Sequence, residues 1–291
     1  MEELFIKAQD GLELSAIYSP VENPKALVQI IHGMVEHKER YLYIINKLNE
    51  AGYTTIITDS RGHGESINEK YPHGHIESID ELVSDQYEVT KFIKEKNPNK
   101  DLYIFSHSFG TCISRNYIMK HDDEIKKLII SGTVASNPGA PLGAHIAKKK
   151  MKKDKYQDSK LLFAFSNNLS TKEDFSWLSY NKENISNYEN DPLCRIKFDV
   201  SGYYTLFTSV KNFKNIKLFE CKNKDLKILS ISGKDDRTTF GTKGVKKSLK
   251  LLNKAGYTNT SFIEYKGMKH EILMEDNKEL VAKDIIEFFN E

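Results

Sequence analysis

The sequence has few cysteines and no strong excess of charge of either sign. Its 291 residues include three cysteines, Cys112, Cys194 and Cys221. This odd and widely spaced set fits neither a disulfide framework nor a zinc site, so we expect three reduced thiols. The formal net charge is +2. Such a balance gives no bulk electrostatic footprint for nucleic acid, and we expect no nucleic-acid partner.

The sequence also lacks long apolar runs. No run approaches the roughly 20 residues that a membrane-spanning helix requires. The chain begins with Met1-Glu2-Glu3 rather than with the basic region of a secretory signal. A composition of 39% hydrophobic and 29% charged residues is typical of a soluble globular protein with a sizeable core. These features predict a cytoplasmic protein with one large domain, or one domain with an insertion.

Short apolar runs alternate with helical patterns in both ends of the chain. The runs at residues 26–31, 54–58, 102–105, 127–131, 226–231 and 261–265 are typical of parallel strands buried on both faces. Helical patterns cover residues 41–51, 79–96, 110–121 and 277–289. Two earlier strands, at 4–6 and 12–18, flank a predicted two-residue turn at Asp10-Gly11. The alternation predicts an α/β fold, with a mostly parallel sheet and helices on both faces.

The alternation breaks between about residues 134 and 225. This stretch is polar, rich in lysine and aromatic residues, and begins with a breaker-rich linker at residues 137–143. We therefore predict an inserted cap or lid over residues 134–225, and a core formed by residues 1–133 and 226–291. An open parallel sheet builds its site at the carboxyl ends of its strands, where a cap would lie. The alternative is a structural subdomain with no part in ligand binding.

A serine lies at the point where one predicted strand meets a helix. The sequence SHSFG at residues 106–110 follows the apolar run at 102–105 directly. A nucleophile at such an elbow has strained backbone angles and needs small residues two positions before and after it. Ser106 and Gly110 are both small, although Ser106 departs from the usual G-x-S-x-G pattern. The pattern indicates that Ser108 is a candidate nucleophile, against the alternative of an ordinary turn.

A serine nucleophile needs a base, and the base needs an orienting acid. Of nine histidines, His270 follows the last predicted strand and precedes the C-terminal helical pattern. Asp235 and Asp236 follow the strand at 226–231, so both are candidates for the acid. The resulting chain order of Ser, Asp and His is the one expected of an α/β-hydrolase.

Three further motifs carry a family resemblance. HGMVEHKERY at residues 32–41 fits an H-G-x-x-E-H-x-x-R-Y loop, and DSRGHGES at 59–66 fits a D-x-R-G-H-G-x-S turn. DPLC at 191–194 resembles a short segment common in the caps of one branch of that family. On these motifs the chain resembles the α/β-hydrolase superfamily. It is most similar to the monoacylglycerol lipase and lysophospholipase-like branch, also called the serine aminopeptidase S33 group.

The resemblance assigns roles to the candidate residues. It implies Ser108 as nucleophile, His270 as general base and then acid, and Asp236 as the orienting carboxylate. Asp236 is preferred to Asp235, although Arg237 stands where the family pattern has a proline after the acid.

The resemblance also implies an oxyanion hole formed by the backbone N–H groups of Met34 and Phe109, and no metal or organic cofactor. His32 and His63, in the two motif loops, are expected to be structural. Cys112, four residues after the candidate nucleophile, is expected to be a buried thiol.

The implied activity is hydrolysis of a carboxylic ester, with a small-molecule substrate that carries an apolar acyl chain, such as a monoacylglycerol or a lysophospholipid. An aminopeptidase or amidase is the alternative within the fold. It would need a carboxylate to hold a substrate ammonium, for which Glu173, Asp174 and Glu189 are candidates. A non-catalytic binding protein is a further alternative, and it predicts a damaged triad.

Six lysines within residues 148–155 indicate either a solvated helix face or a surface that contacts anionic lipid headgroups transiently. The sequence leaves the oligomeric state open.

Overall fold

A central sheet of eight strands organises the molecule. The computed structural model describes residues 1–134, 137, 139–166 and 174–291. The strands are β1 (Glu2–Lys7), β2 (Glu13–Ser19), β3 (Leu27–Ile31), β4 (Thr54–Thr58), β5 (Leu102–His107), β6 (Lys127–Ser131), β7 (Lys227–Gly233) and β8 (Thr260–Tyr265). Their order in the sheet is β1-β2-β4-β3-β5-β6-β7-β8. β2 pairs antiparallel with β1 and β4, and the other neighbouring pairs are parallel.

Helices cover both faces of this sheet. They are α1 (Leu42–Glu50), α2 (Ile79–Lys96), α3 (Phe109–His121), α4 (Ala140–Met151), α5 (Lys160–Ser166), α6 (Lys182–Asn190), α7 (Val200–Asn212), α8 (Gly241–Ala255) and α9 (Lys278–Asn290). One hydrophobic core joins the sheet to α2, α3 and α8, and a second joins it to α1 and α9. Successive residues of β5 pack into different cores, since Ile104 belongs to the first and Phe105 to the second. The predicted mostly parallel sheet with helices on both faces is confirmed.

None of the helices in the described part of the chain combines the length and apolar character that crossing a bilayer requires.

The predicted two-residue turn at Asp10-Gly11 is wrong. Lys7 pairs with Glu13, which leaves residues 8–12 as the connection between β1 and β2. Within it, the Ala8 N–H donates to the carbonyl oxygen of Leu12, and the Asp10 carboxylate accepts from the Leu12 N–H. Asp10 and Gly11 do lie in the turn, with Gly11 at a φ of 91°. The paired part of the hairpin, however, stops at Lys7 and Glu13, which leaves five connecting residues instead of two.

The segment between β6 and β7 contributes helices α4 to α7 and, in its described residues, no strand of the sheet. The predicted linker at 137–143 is wrong for residues 140–143, because α4 begins at Ala140 with Pro141 in its first turn, where a missing N–H is harmless. Pro138 lies outside the described residues. The division into a core and a cap at 134–225 stays a prediction.

Candidate active site

The turn from β5 into α3 holds Ser108 in a strained conformation. Its φ of 49° and ψ of −117° lie in a region of backbone conformation that residues other than glycine rarely adopt. A Cβ on Gly110 would lie 2.3 Å from the Ile31 carbonyl oxygen, so only glycine fits there. Ser106 is fully buried, and its Oγ bonds Ser114 Oγ at 2.8 Å and the Ile129 carbonyl at 3.1 Å. These bonds satisfy the hydroxyl, which explains how serine replaces the usual glycine.

Three of the predicted residues form one chain of hydrogen bonds. Ser108 Oγ lies 2.8 Å from His270 Nε2, and His270 Nδ1 lies 2.9 Å from Asp236 Oδ2. The other oxygen of Asp236 accepts from the backbone N–H and the hydroxyl of Thr238, each at 2.8 Å. Asp235 is exposed and accepts instead from the Tyr180 hydroxyl at 3.2 Å. The structure therefore brings Asp236, and not Asp235, against the histidine.

The electrostatics of this chain of hydrogen bonds favour a charged Asp236 and a basic His270. Burial opposes ionisation of Asp236, but the charge and hydrogen bond of His270, with the bonds from Thr238, hold the pKa of the carboxyl below its usual value. Burial would lower the pKa of His270, yet the Asp236 carboxylate raises it above its usual value. The imidazole is thus poised to accept a proton and to be stabilised once it has done so.

Two aromatic neighbours contact the His270 ring, and neither contact was predicted from the sequence. The His107 ring lies 4.7 Å from it, and the Trp177 ring lies 4.8 Å from it. Burial and the charge of His270 lower the pKa of His107 to about 4, so this ring is neutral at ordinary pH. Both neighbours pack against the imidazole without adding charge.

The loop after β3 lies directly against Ser108. A Cβ on Gly33 would lie 3.0 Å from Ser108 Cβ, and the Gly33 N–H donates to Glu36 Oε1 at 2.6 Å. Met34 and Phe109, the predicted oxyanion residues, line the same cavity as Ser108. The structure therefore places the two backbone segments beside the serine, where donors to an oxyanion are needed.

A buried ionic network supports this loop, and sequence analysis missed it. Arg40 Nη1 donates to Glu36 at 2.8 Å and to Glu271 at 2.6 Å, while Nη2 donates to Glu271 at 2.9 Å and to Asn184 at 3.1 Å. Burial opposes ionisation of Glu36, but the Arg40 charge lowers the pKa of the carboxyl to about 2. The network joins the loop after β3, the residue after His270, and α6. Its one sequence signal is the spacing of Glu36 and Arg40, four residues apart within a recognised motif.

His32 and His63 take structural positions. His32 Nε2 accepts from the Ser60 N–H at 2.8 Å, so Nδ1 carries the proton and donates to the Gly33 carbonyl at 2.7 Å. Burial lowers the pKa of His63 to about 3. Cys112 is fully buried, and burial raises the pKa of its thiol to about 12. The thiol therefore stays protonated and packs as an apolar group.

Among the described residues, one group of three side chains has the spacing of metal ligands. The ligand atoms of His37, Asp191 and Cys194 lie within 4.8 Å of one another. Both ring nitrogens of His37 are already hydrogen-bonded, Nε2 to Asp191 at 2.7 Å and Nδ1 to Glu39. Burial raises the pKa of the Cys194 thiol above its usual value. The group links the loop after β3 to the DPLC segment. The His37 nitrogens that a metal ion would need are already used in hydrogen bonds.

A mainly apolar cavity of about 220 Å³ opens at Ser108. Phe163, Phe198 and Leu206, from the segment between β6 and β7, line it together with Met34 and Phe109. The described charged side chains along it are Asp174, Arg195, Lys197 and Arg237. Glu189 is exposed on α6, and Glu173 lies outside the described residues.

Comparisons with known proteins point to one family. The model of the family described as serine aminopeptidase, S33, matches residues 22–277. The phospholipase YtpA of Bacillus subtilis is 25% identical over 272 residues, which cover 90% of this chain and 94% of the relative. The monoglyceride lipase of Mus musculus is 28% identical over 204 residues, which cover 69% of this chain and 63% of the relative.

Two further matches cover less of the relative's length. The chain spans 11% of the length of an uncharacterised abhydrolase domain-containing protein of Dictyostelium discoideum, and 40% of the monoacylglycerol lipase of Mycolicibacterium smegmatis.

Solved structures show the same fold. A carboxyl esterase from Bacillus coagulans superposes with a TM-score of 0.88 at 24% identity, covering 99% of this chain and 97% of the esterase. The monoacylglycerol lipase of Paleococcus ferrophilus superposes with a TM-score of 0.75 at 23% identity, covering 95% and 98%. The resemblance drawn from the motifs is confirmed. The chain belongs to the serine aminopeptidase S33 family of α/β-hydrolases, in its monoacylglycerol lipase-like branch.

Proposed function

We propose that this protein is a serine hydrolase that cleaves carboxylic esters through an acyl-enzyme on Ser108. The observation that carries the proposal is the hydrogen-bond chain from Ser108 through His270 to Asp236, which opens on an apolar cavity. Relatives named monoglyceride lipase and phospholipase support a single-chain lipid ester, such as a monoacylglycerol or a lysophospholipid, as substrate.

The reaction runs in two halves. Ser108 Oγ attacks the ester carbonyl while His270 Nε2 takes its proton, and Asp236 stabilises the imidazolium. The backbone N–H groups of Met34 and Phe109 hold the oxyanion, and each such donor contributes about 3 kcal/mol to lowering the barrier. His270 then protonates the leaving alcohol as the carbonyl re-forms. Water attacks the acyl-enzyme, His270 takes the water's proton, and that proton returns to Ser108 as the acid leaves.

The cap prediction becomes part of this proposal. Residues 134–225 would act as the cap, and their contribution to the cavity wall supports a part in substrate binding. Phe163, Phe198 and Leu206 from this segment face the same cavity as the nucleophile. An acyl chain that enters the cavity would remove apolar surface from water on both partners.

The charges along the cavity weigh against the aminopeptidase alternative. A substrate ammonium needs a carboxylate, and the described lining residues offer Asp174 against three cationic side chains. The binding-protein alternative predicts a damaged triad. Its three positions instead hold competent residues at hydrogen-bonding distances.

The test is hydrolysis of p-nitrophenyl esters over a range of acyl lengths by the wild type, Ser108→Ala and Ser106→Gly. We expect Ser108→Ala to lose activity by about a thousandfold or more. Ser106→Gly, which restores the usual elbow residue, is the matched control and should retain activity. An organophosphonate should form an adduct on Ser108, detected by mass spectrometry. Turnover that survives in Ser108→Ala would contradict the mechanism, and absence of both adduct and turnover would favour the binding protein.

A further inference from the structure

A strained residue follows Met34, the predicted oxyanion donor, in the loop after β3. This residue is Val35, and its φ is 53°. Residues with β-branched side chains rarely adopt this left-handed region, because the side chain then crowds the backbone. Such a conformation persists only where surrounding contacts impose it. The contacts of Val35 therefore show what holds this part of the loop.

A buried tyrosine of α6 holds the Val35 carbonyl. The Tyr188 hydroxyl donates to this oxygen at 3.0 Å. Burial raises the pKa of the Tyr188 phenol well above its usual value, so the hydroxyl keeps the proton that it donates. The Tyr188 ring is itself fixed, because the Phe175 ring lies 5.2 Å from it and the Arg40 guanidinium carbon lies 4.9 Å from its centre. Val35 also packs against the apolar cluster that contains Tyr188.

The chain on the other side of Met34 is held as well. The Gly33 carbonyl accepts from His32 Nδ1 at 2.7 Å. That carbonyl and the Met34 N–H belong to one planar peptide unit, in which they point in opposite directions. His32 therefore fixes the direction of the Met34 N–H from the preceding side, while Tyr188 fixes the chain from the following side. An oxyanion donor contributes most when it is already aimed at the developing charge.

We propose that Tyr188 is a positioning residue for the oxyanion hole, because its bond to the Val35 carbonyl keeps the loop in the strained conformation that aims the Met34 N–H at the substrate oxyanion. This inference rests on the acyl-enzyme reaction on Ser108 proposed above. Tyr188 acts through the loop, so its loss should weaken binding of the transition state and leave binding of the ester unchanged. The segment between β6 and β7 then contributes to catalysis as well as to the cavity wall.

The first test is Tyr188→Phe, which keeps the ring that lines the cavity and removes the hydroxyl. With a p-nitrophenyl ester, kcat should fall about tenfold, which is part of the loss of about a hundredfold or more that follows outright removal of an oxyanion donor. KM should stay within about twofold, because the hydroxyl acts only in the transition state. Wild-type kcat in Tyr188→Phe, or a change in KM alone, would overturn the inference.

The matched control is Tyr257→Phe. It also removes a buried hydroxyl that donates to a backbone carbonyl, that of Ile118 at 3.0 Å, at the opposite end of α3 from Ser108. This control should lower the melting temperature and leave kcat unchanged. A fall in kcat of equal size in Tyr257→Phe would show that lost stability explains the effect, and would overturn the inference.

A second variant separates backbone strain from packing. Val35→Gly lets this position adopt a positive φ without an imposed contact. Added to Val35→Gly, Tyr188→Phe should lower kcat by less than about twofold, against about tenfold in the wild type. A purely structural role for Tyr188 predicts equal losses in both backgrounds, and that result would contradict the inference.

A transition-state analogue separates this inference from the proposed ester hydrolysis. With 1,1,1-trifluorododecan-2-one, a bond forms between Ser108 Oγ and the ketone carbon, the carbonyl electron pair becomes the oxyanion, and His270 takes the serine proton. The ether 1-O-decylglycerol binds without reacting. Tyr188→Phe should weaken binding of the ketone about tenfold and binding of the ether by less than about twofold.

The hemiketal is detected by ¹⁹F NMR, and both affinities are measured by calorimetry. If the wild type cleaves no ester but forms a hemiketal that Tyr188→Phe weakens in this way, the inference stands and only ester hydrolysis fails. Equal ketone affinity in the two proteins overturns the inference even where esters are cleaved. A wild type that forms no hemiketal would contradict both proposals.

Discussion

Replacing Arg40 with methionine tests the buried ionic network most directly. Arg40→Met keeps an unbranched apolar stem but removes the guanidinium that lies between Glu36 and Glu271. Three charged hydrogen bonds of 2.6–2.9 Å are lost. The two carboxylates are only 5% and 6% exposed, so water cannot replace the lost partner. Leaving a buried charge unpaired typically costs about 3–5 kcal/mol of unfolding free energy.

The assay is urea unfolding at pH 8, with thermal unfolding beside it. We expect the urea midpoint to fall without a change in slope, and the melting temperature to fall by about 10 °C. Lys283→Met is the control, since its partner Glu287 is exposed and the pair should contribute less than about 1 kcal/mol.

The pH dependence gives this prediction a second readout. In the wild type the pKa of Glu36 is depressed to about 2. Its contribution to stability is therefore present above the ordinary carboxyl pKa of about 4.3 and lost as pH falls toward 2. Without Arg40, burial would raise that pKa above its ordinary value, so the variant should lose stability as pH rises above about 4.3. The difference between the two proteins should be larger at pH 8 than at pH 5. A loss below 1 kcal/mol, or one independent of pH, would refute the reasoning.

Two further predictions concern the catalytic chain and the elbow. Because Asp236 raises the pKa of His270, kcat/KM for a p-nitrophenyl ester should rise with pH through an inflection above the usual imidazole value of about 6.5. Asp236→Asn should move that inflection to lower pH and reduce kcat by roughly 10⁴-fold. Asp235→Asn, the control, should change neither the inflection nor kcat. An unmoved inflection in Asp236→Asn would contradict the assignment of Asp236. Gly110→Ala should lower the unfolding free energy by about 3 kcal/mol in urea, because its methyl group would press on the Ile31 carbonyl; wild-type stability would show that the elbow can relax.

Strands that are buried on both faces could be predicted from the sequence, because they leave continuous apolar runs. The runs at 54–58 and 127–131 match β4 and β6 residue for residue, and the pattern at 79–96 matches α2. A helix could not be predicted where a single backbone contact requires a glycine inside it. The predicted helical patterns omit α8, whose glycines resemble loop residues. Gly244 is nevertheless needed inside that helix, since a Cβ there would lie 1.8 Å from the Thr239 carbonyl oxygen.

The candidate site shows the same division. The nucleophile and the base follow strands, so order and loop position were enough to propose Ser108 and His270. Which of two adjacent aspartates faces the histidine depends on the backbone path after β7. Order and loop position left both open, the family resemblance favoured Asp236, and Asp236 is the one that contacts His270 in the structure. The contact between Arg40 and Glu271 spans 231 positions in the chain, and no local pattern encodes it.

The pairing of β6 with β7 has a consequence for how the protein changes over evolution. The two strands are parallel neighbours, although Ser131 ends one and Lys227 begins the other. Doubling the length of a flexible connection costs only about 0.6 kcal/mol in closure entropy, so this junction tolerates long and varied insertions. Ser108, Asp236 and His270 all lie outside the segment between these two strands. Natural variation can therefore change the part of the cavity wall that this segment supplies and leave those three residues in place.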